Sequence, residues 1–286
     1  IRHNITYLET RITPAENINS LHDKVKDSQP GENQEVNTYF IVHFIKKKDR
    51  LAKNDKKEQS TTRILNYRHY KVRQDLKRQA FTLVHYLESE SFKFRKCPII
   101  GIDAAGNELV ASPEVFAQVF RYIRYHGPQI DFTYHAGEDF YDLVDGMRSI
   151  NEAILFLQMR HSDRIGHALA IGIDAERFYD ERQRNIIIPK QVLVDNIAWL
   201  YFHASIANIA FSPALDLALK DKFYTLVSEL GYCHEDNSIN MNDYYHSMLL
   251  RGDNPETRGK KNSEFSSSWR LCDQVKDDDI LYDSHK

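Results

Sequence analysis

The sequence is poor in several features that would narrow its role at once. Its 286 residues include three cysteines, Cys97, Cys233 and Cys272. None belongs to a Cys-x-x-Cys pair, which argues against a structural zinc knuckle and a disulfide scaffold and points to a reduced, cytoplasmic setting. No run of about 18 apolar residues occurs, so no membrane span is expected. The start, Ile1-Arg2-His3-Asn4, has neither a signal-peptide apolar region nor an initiator Met, and a fragment or processed product is expected. Net charge is −3, so the whole chain is not a polycation built for nucleic acid, which leaves local patches and any nucleic-acid contact open. There is no G-x-G-x-x-G fingerprint and no Walker loop, so the nucleotide-binding α/β folds lose support.

What is present is a β/α rhythm. Hydrophobic residues make up 42%, enough for one large barrel or two smaller domains. Residues 5–13 alternate and stop at Pro14, a strand whose end carries Glu9 and Arg11. Residues 37–45 are almost continuously apolar, as in a strand buried on both faces, and His43 within them reads as a satisfied core or face histidine. Lys46 to Lys57, with Arg50 and Lys53 between, reads as a solvated loop, the alternative being a phosphate-attracting patch at a barrel mouth. Helical spacing is expected from Thr62 to about Glu88.

Cys97 to Asp103 is a further buried strand. It leads into the small-residue loop Ala104-Ala105-Gly106-Asn107-Glu108, either a plain βα turn or a place where a backbone N–H meets a flat ligand. Ser112-Pro113 opens the next helix. Ile130, Phe132 and Tyr134 then lead to His135, and a long amphipathic helix is expected from about Asp139. Arg164 to Ala168 is the next strand. Residues 174–203 read as helix-loop-helix broken at Ile186-Ile187-Ile188-Pro189, and Ile206 to Phe211 as another strand. Beyond Ala214 the pattern is helical over 215–230 and 242–250, with a mobile Gly/Lys/Ser-rich stretch at 256–268. The expected fold class is α/β, with parallel strands in a (β/α)8 TIM-type barrel of which strands 2 to 7 are recognisable. The expected domains are a partial barrel over 1–215 and a helical C-terminal region over 216–286.

The chemistry gathers at two strand ends. Tyr134-His135-Ala136-Gly137-Glu138 puts a His and a Glu where a strand meets a helix, the edge at which β/α barrels work. Arg164-Ile165-Gly166-His167 repeats the design. Two strand-end histidines with a carboxylate between them suit a metal site that activates water. Zinc suits imidazole, and His135 is the candidate ligand. A neutral Glu138 can donate a proton to a ring nitrogen, and His167 can take one from water.

These two stretches resemble the central motifs of the adenosine deaminases, metal-dependent hydrolases on a β/α barrel. Gly101 to Glu108 resembles the strand-and-loop motif that precedes them, and Tyr7 to Arg11 and Phe211-Ser212-Pro213 resemble the outer strands more loosely. The resemblance implies Zn2+ held by His135, Glu138 protonating N1 of adenine, His167 orienting or deprotonating the water that attacks C6, and the Gly106 N–H holding N3. It implies conversion of adenosine or an adenine nucleotide to the inosine form, with release of ammonia. His-Ala-Gly-Glu-Asp-Phe, with Arg164 to Asp174, is most similar to the deaminase component of the bacterial RADAR anti-phage system. That likeness implies a homo-oligomer and a partner ATPase.

The sequence departs from the family in two places. No His-x-His pair occurs, and the family's closing Asp-Asp has only an echo in Arg251-Gly252-Asp253, where Asp253 follows a helical pattern. The first and eighth strands are therefore expected to be missing. The H-x-E and P-C-x-x-C signature of the other zinc deaminases is absent, which removes their fold. Two other readings stand beside deamination: a metal-dependent hydrolase of another amide or amidine, and a non-catalytic assembly scaffold.

Overall fold

The computed structural model describes residues 5–29, 36–48, 69–89, 98–127, 129–232, 239–252 and 282–285. Five strands form one parallel sheet in sequence order: β1 (Tyr7–Ile12), β2 (Asn37–Lys46), β3 (Ile99–Gly106), β4 (Asp131–Ala136) and β5 (Arg164–His167). Helices α1 (Ile18–Asp27), α2 (Tyr70–Glu88), α3 (Pro113–His126) and α4 (Leu143–Phe156) follow the first four strands in turn. The result is half of a β/α barrel, an incomplete TIM-type fold followed by a helical C-terminal region.

Alternation along the strands divides the work. Phe40, Val42, Phe44, Ile102, Phe132 and Tyr134 are fully buried. Phe120 of α3 meets Phe132 edge-on at 5.1 Å, and Phe116 meets Tyr134 at 5.7 Å. Such pairs add about 0.5–1.5 kcal/mol each beyond area burial. In register, His43 pairs with Asp103, Asp103 with Thr133, and His135 with Gly166. These residues lie on the opposite face, which would line a closed barrel.

After β5 come short helices α5 (Leu169–Gly172) and α6 (Ala175–Glu181), then β6 (Ile186–Pro189), α7 (Lys190–Ile206), α8 (Pro213–Glu229), α9 (Met241–Leu250) and β7 (Tyr282–His285). One buried cluster runs from Ile12 to Phe178, and a second from Val194 to Met248 joins α7, α8 and α9. Among the described residues no helix is long and apolar enough to cross a membrane.

Several expectations need correction. Ile206 to Phe211 is not a strand: α7 runs to Ile206, Asn208 turns left-handed (φ 55°), and the Ile209 N–H reaches back to the Ala204 carbonyl at 2.8 Å. That is a helix-ending motif, with Asn where a positive φ is tolerated. Ile186 to Pro189 does not merely break a helix; it pairs antiparallel with residues 282–285. The helix after β4 begins at Leu143, because Gly137 (φ 81°) turns the chain into a short loop first. Along this helix Ala153 and Phe156 are buried, while Ile154 is 45% exposed. Lys46 is not a loop residue but the buried last residue of β2. Arg50, Lys53, Lys56, Lys57, the three cysteines, Asp253 and the stretch 256–268 lie outside the described residues.

Candidate active site

The site is built at the C-terminal ends of β3, β4 and β5. The His135 ring lies over Gly166, where a Cβ would fall 2.8 Å from ring carbons, so only glycine leaves room for it. His167 and Ala168 both adopt left-handed backbone (φ 61° and 49°), an uncommon state for residues with side chains. This turns the His167 ring back toward the site. Its centroid lies 4.9 Å from that of His135, and its Nε2 lies 3.1 Å from Glu138 Oε2. His135, Glu138 and His167 are therefore together. Gly106 closes β3 at the same edge, paired in register with Lys46.

Beneath this group sits Asp103, with no exposed surface. Its Oδ2 accepts from Arg11 Nε at 2.7 Å and faces His43 Nδ1 at 3.2 Å. Burial pushes its carboxyl up, but the bonds to His43 and Arg11 more than offset this and hold it below the usual carboxylate range. Its Oδ1 lies 3.4 Å from His135 Nε2, close but not aligned for a hydrogen bond, and both buried atoms lack a hydrogen-bond partner. Burial pushes the His135 imidazole down, against the pull of Asp103, so at neutral pH it offers a lone pair.

Two further charged side chains grip the strand end. Lys46 donates to the His135 carbonyl and stands 4.1 Å over the Tyr134 ring. Burial lowers its ammonium to about 8. Glu108 Oε2 accepts the Gly137 N–H at 2.7 Å and the Glu138 N–H at 3.3 Å. Burial raises its carboxyl, against the opposing pull of Lys46 and these two amides.

The family described as "Adenosine deaminase" matches residues 1–198. The chain belongs to the adenosine deaminase family. It is 37% identical over 157 residues to the adenosine deaminases of Mycobacterium bovis (strain BCG / Pasteur 1173P2) and Mycobacterium tuberculosis (strain ATCC 25618 / H37Rv), covering 53% of this chain and 40% of each relative. It is 37% identical over 160 residues to that of Mycobacterium marinum (strain ATCC BAA-535 / M), covering 54% and 41%. The chain thus spans about two fifths of the length of the curated relatives it matches.

Adenosine deaminases are generally metal-dependent, so the donors can be tested against a zinc ion. His135 Nε2, buried and without a hydrogen-bond partner, fits as one ligand. Among the described residues no group of three or more His, Cys, Asp or Glu side chains could hold a metal ion. About three protein ligands are usual for a catalytic zinc, so His135 could serve as one ligand and the described residues do not complete such a site.

Asp103, His43, Lys46 and Glu108 were not singled out by sequence reasoning as site residues. One signal was available: a carboxylate within an apolar strand stays charged only with partners, and Asp103 ends such a run. His43 is satisfied, as expected, by Asp103, which lies beneath the His135, Glu138 and His167 group. Lys46 was hidden because the lysines that follow it mimic a solvated loop.

Proposed function

We propose that this chain contributes the strand-end part of a hydrolytic deaminase site that converts adenosine or an adenine nucleotide to the inosine form and ammonia. The observation that carries the reading is the convergence of His135, Glu138 and His167, with the Glu138 carboxylate 3.1 Å from the His167 ring. His135 is the residue here that would hold zinc, which when bound supplies a Lewis acid and lowers the pKa of water. Glu138 donates a proton to N1 of the purine and so makes C6 more electrophilic. His167 takes a proton from the water whose oxygen bonds to C6 and returns it to the 6-amino group, which leaves as ammonia. The Gly106 N–H holds N3, at a strand end where the backbone (φ 121°) is open to close approach.

Liquid chromatography of adenosine and its phosphates after incubation with the metal-loaded protein tests the reading. Inosine or an inosine phosphate is expected; conversion of another amide or amidine, with adenine compounds untouched, would replace it. The wording of His135 to Phe140 and Arg164 to Asp174 supports a narrower form, a homo-oligomeric defence deaminase working with a partner ATPase. A monomer by light scattering would count against that form.

A further inference from the structure

Two buried side chains of opposite charge, one ending β2 and one in the turn after β3, meet the same four-residue segment. Lys46, 4% exposed, ends β2 and donates through Nζ to the His135 carbonyl. Glu108, 9% exposed, follows β3 and takes the Gly137 and Glu138 amides on one oxygen. Its other oxygen is buried without a hydrogen-bond partner. A buried carboxylate left in this way needs a compensating charge, and Lys46 acts on Glu108 electrostatically. Two successive amides converging on one carboxylate oxygen form a nest, and here the left-handed Gly137 (φ 81°) creates it.

We propose that Lys46 and Glu108 are positioning residues that clamp the 135–138 peptide by its carbonyl and its amides, fixing the spacing between the His135 ring and the Glu138 carboxyl. The clamp rests on the reading above in one respect only, that His135 and Glu138 do the chemistry. Their hydrogen bonds go to the backbone of this segment and not to the His135 ring or the Glu138 carboxyl. A catalytic group misplaced by about 1 Å can cost on the order of a hundred-fold in rate, so the clamp acts on turnover more than on binding.

The test uses Glu108→Ala, Glu108→Gln and Lys46→Met with two readouts. In steady-state kinetics, Glu108→Ala and Lys46→Met are expected to lower kcat by about ten-fold or more with KM nearly unchanged. Glu108→Gln, which keeps an acceptor oxygen, is expected to recover part of the loss. In amide proton NMR, the Gly137 N–H is expected to move upfield and exchange faster in Glu108→Ala, and less so in Glu108→Gln. Wild-type kcat in the variants, or an unmoved Gly137 amide, overturns the clamp. If wild-type protein does not deaminate adenine compounds, the functional reading fails and the amide readout alone decides the clamp. If Glu108→Ala does not fold, the same amide in Glu108→Gln decides it.

Discussion

A Cβ at position 166 would fall 2.8 Å from the His135 ring, closer than real Cβ contacts come. Gly166→Ala is therefore expected to push the imidazole off its seat and lower deaminase activity by about ten-fold or more, with secondary structure retained in circular dichroism. Unchanged activity would mean that the ring does not need its present place. Glu138→Gln keeps the shape of the side chain and removes the proton, so turnover is expected to fall by about 10²–10⁴ while the melting temperature holds. Full activity in that variant would remove the proton-donor role. His135→Ala is expected to lower bound zinc, measured by atomic absorption; unchanged zinc would contradict the ligand role. At this scale the sequence is legible where strand-end motifs carry the signal: the patterns ending at His135 and His167 place both rings and Glu138 at one edge of the sheet. It is silent where the partner is remote: Lys46 and His135 are 89 positions apart, and Asp103 and Arg11 are 92.

Between elements, α4 is tied to α7 by a buried charged network. Arg148 bonds Glu152 at 2.5 Å, Asp145 at 2.8 Å and Asn196 at 2.9 Å. Beside it, Asp195 of α7 is held by Arg251 at 2.6 Å and by the Tyr244 hydroxyl at 2.7 Å. Glu108, Asp145, Arg148, Glu152, Asp195 and Arg251 share the lining of a cavity of about 190 Å³. Arg148→Met leaves two buried carboxylates uncompensated and is expected to cost about 3–5 kcal/mol of stability in urea unfolding. A loss within error would show that water already solvates the network.

The same network gives a pH dependence. Burial raises Glu152 from its ordinary 4.5 to about 7, despite Arg148, with Glu114 and Asp195 adding to the rise. The native state then binds the proton more tightly than the unfolded chain. This contribution to stability is complete below about 4.5 and lost as pH rises through about 7. Glu152→Gln is expected to reduce the fall in urea midpoint between about pH 5 and pH 8. An equal fall in both proteins would place the titration elsewhere. Helices α8 and α9 are legible from periodicity, while the end of α7 is not, because the apolar run 206–211 is taken up by a helix-closing turn that hydropathy does not reveal.

For the whole molecule, order along the chain equals order across the sheet. One face of the half-barrel packs on helices, and the other gathers Arg11, His43, Asp103 and His135. That separation of packing from chemistry follows from the two-residue period of strands, which is why the barrel class could be read from sequence. The donors that would join His135 around a metal cannot be read in the same way, because no His-x-His pair occurs and Asp253 follows a helical pattern rather than a strand. The most direct measurement is the chromatographic yield of inosine compounds from adenosine and its phosphates, with the zinc-loaded protein beside its Glu138→Gln variant. Product from the first and almost none from the second is the expected result. A zinc-loaded protein that leaves every adenine compound intact, or a variant that works equally well, would contradict the assignment.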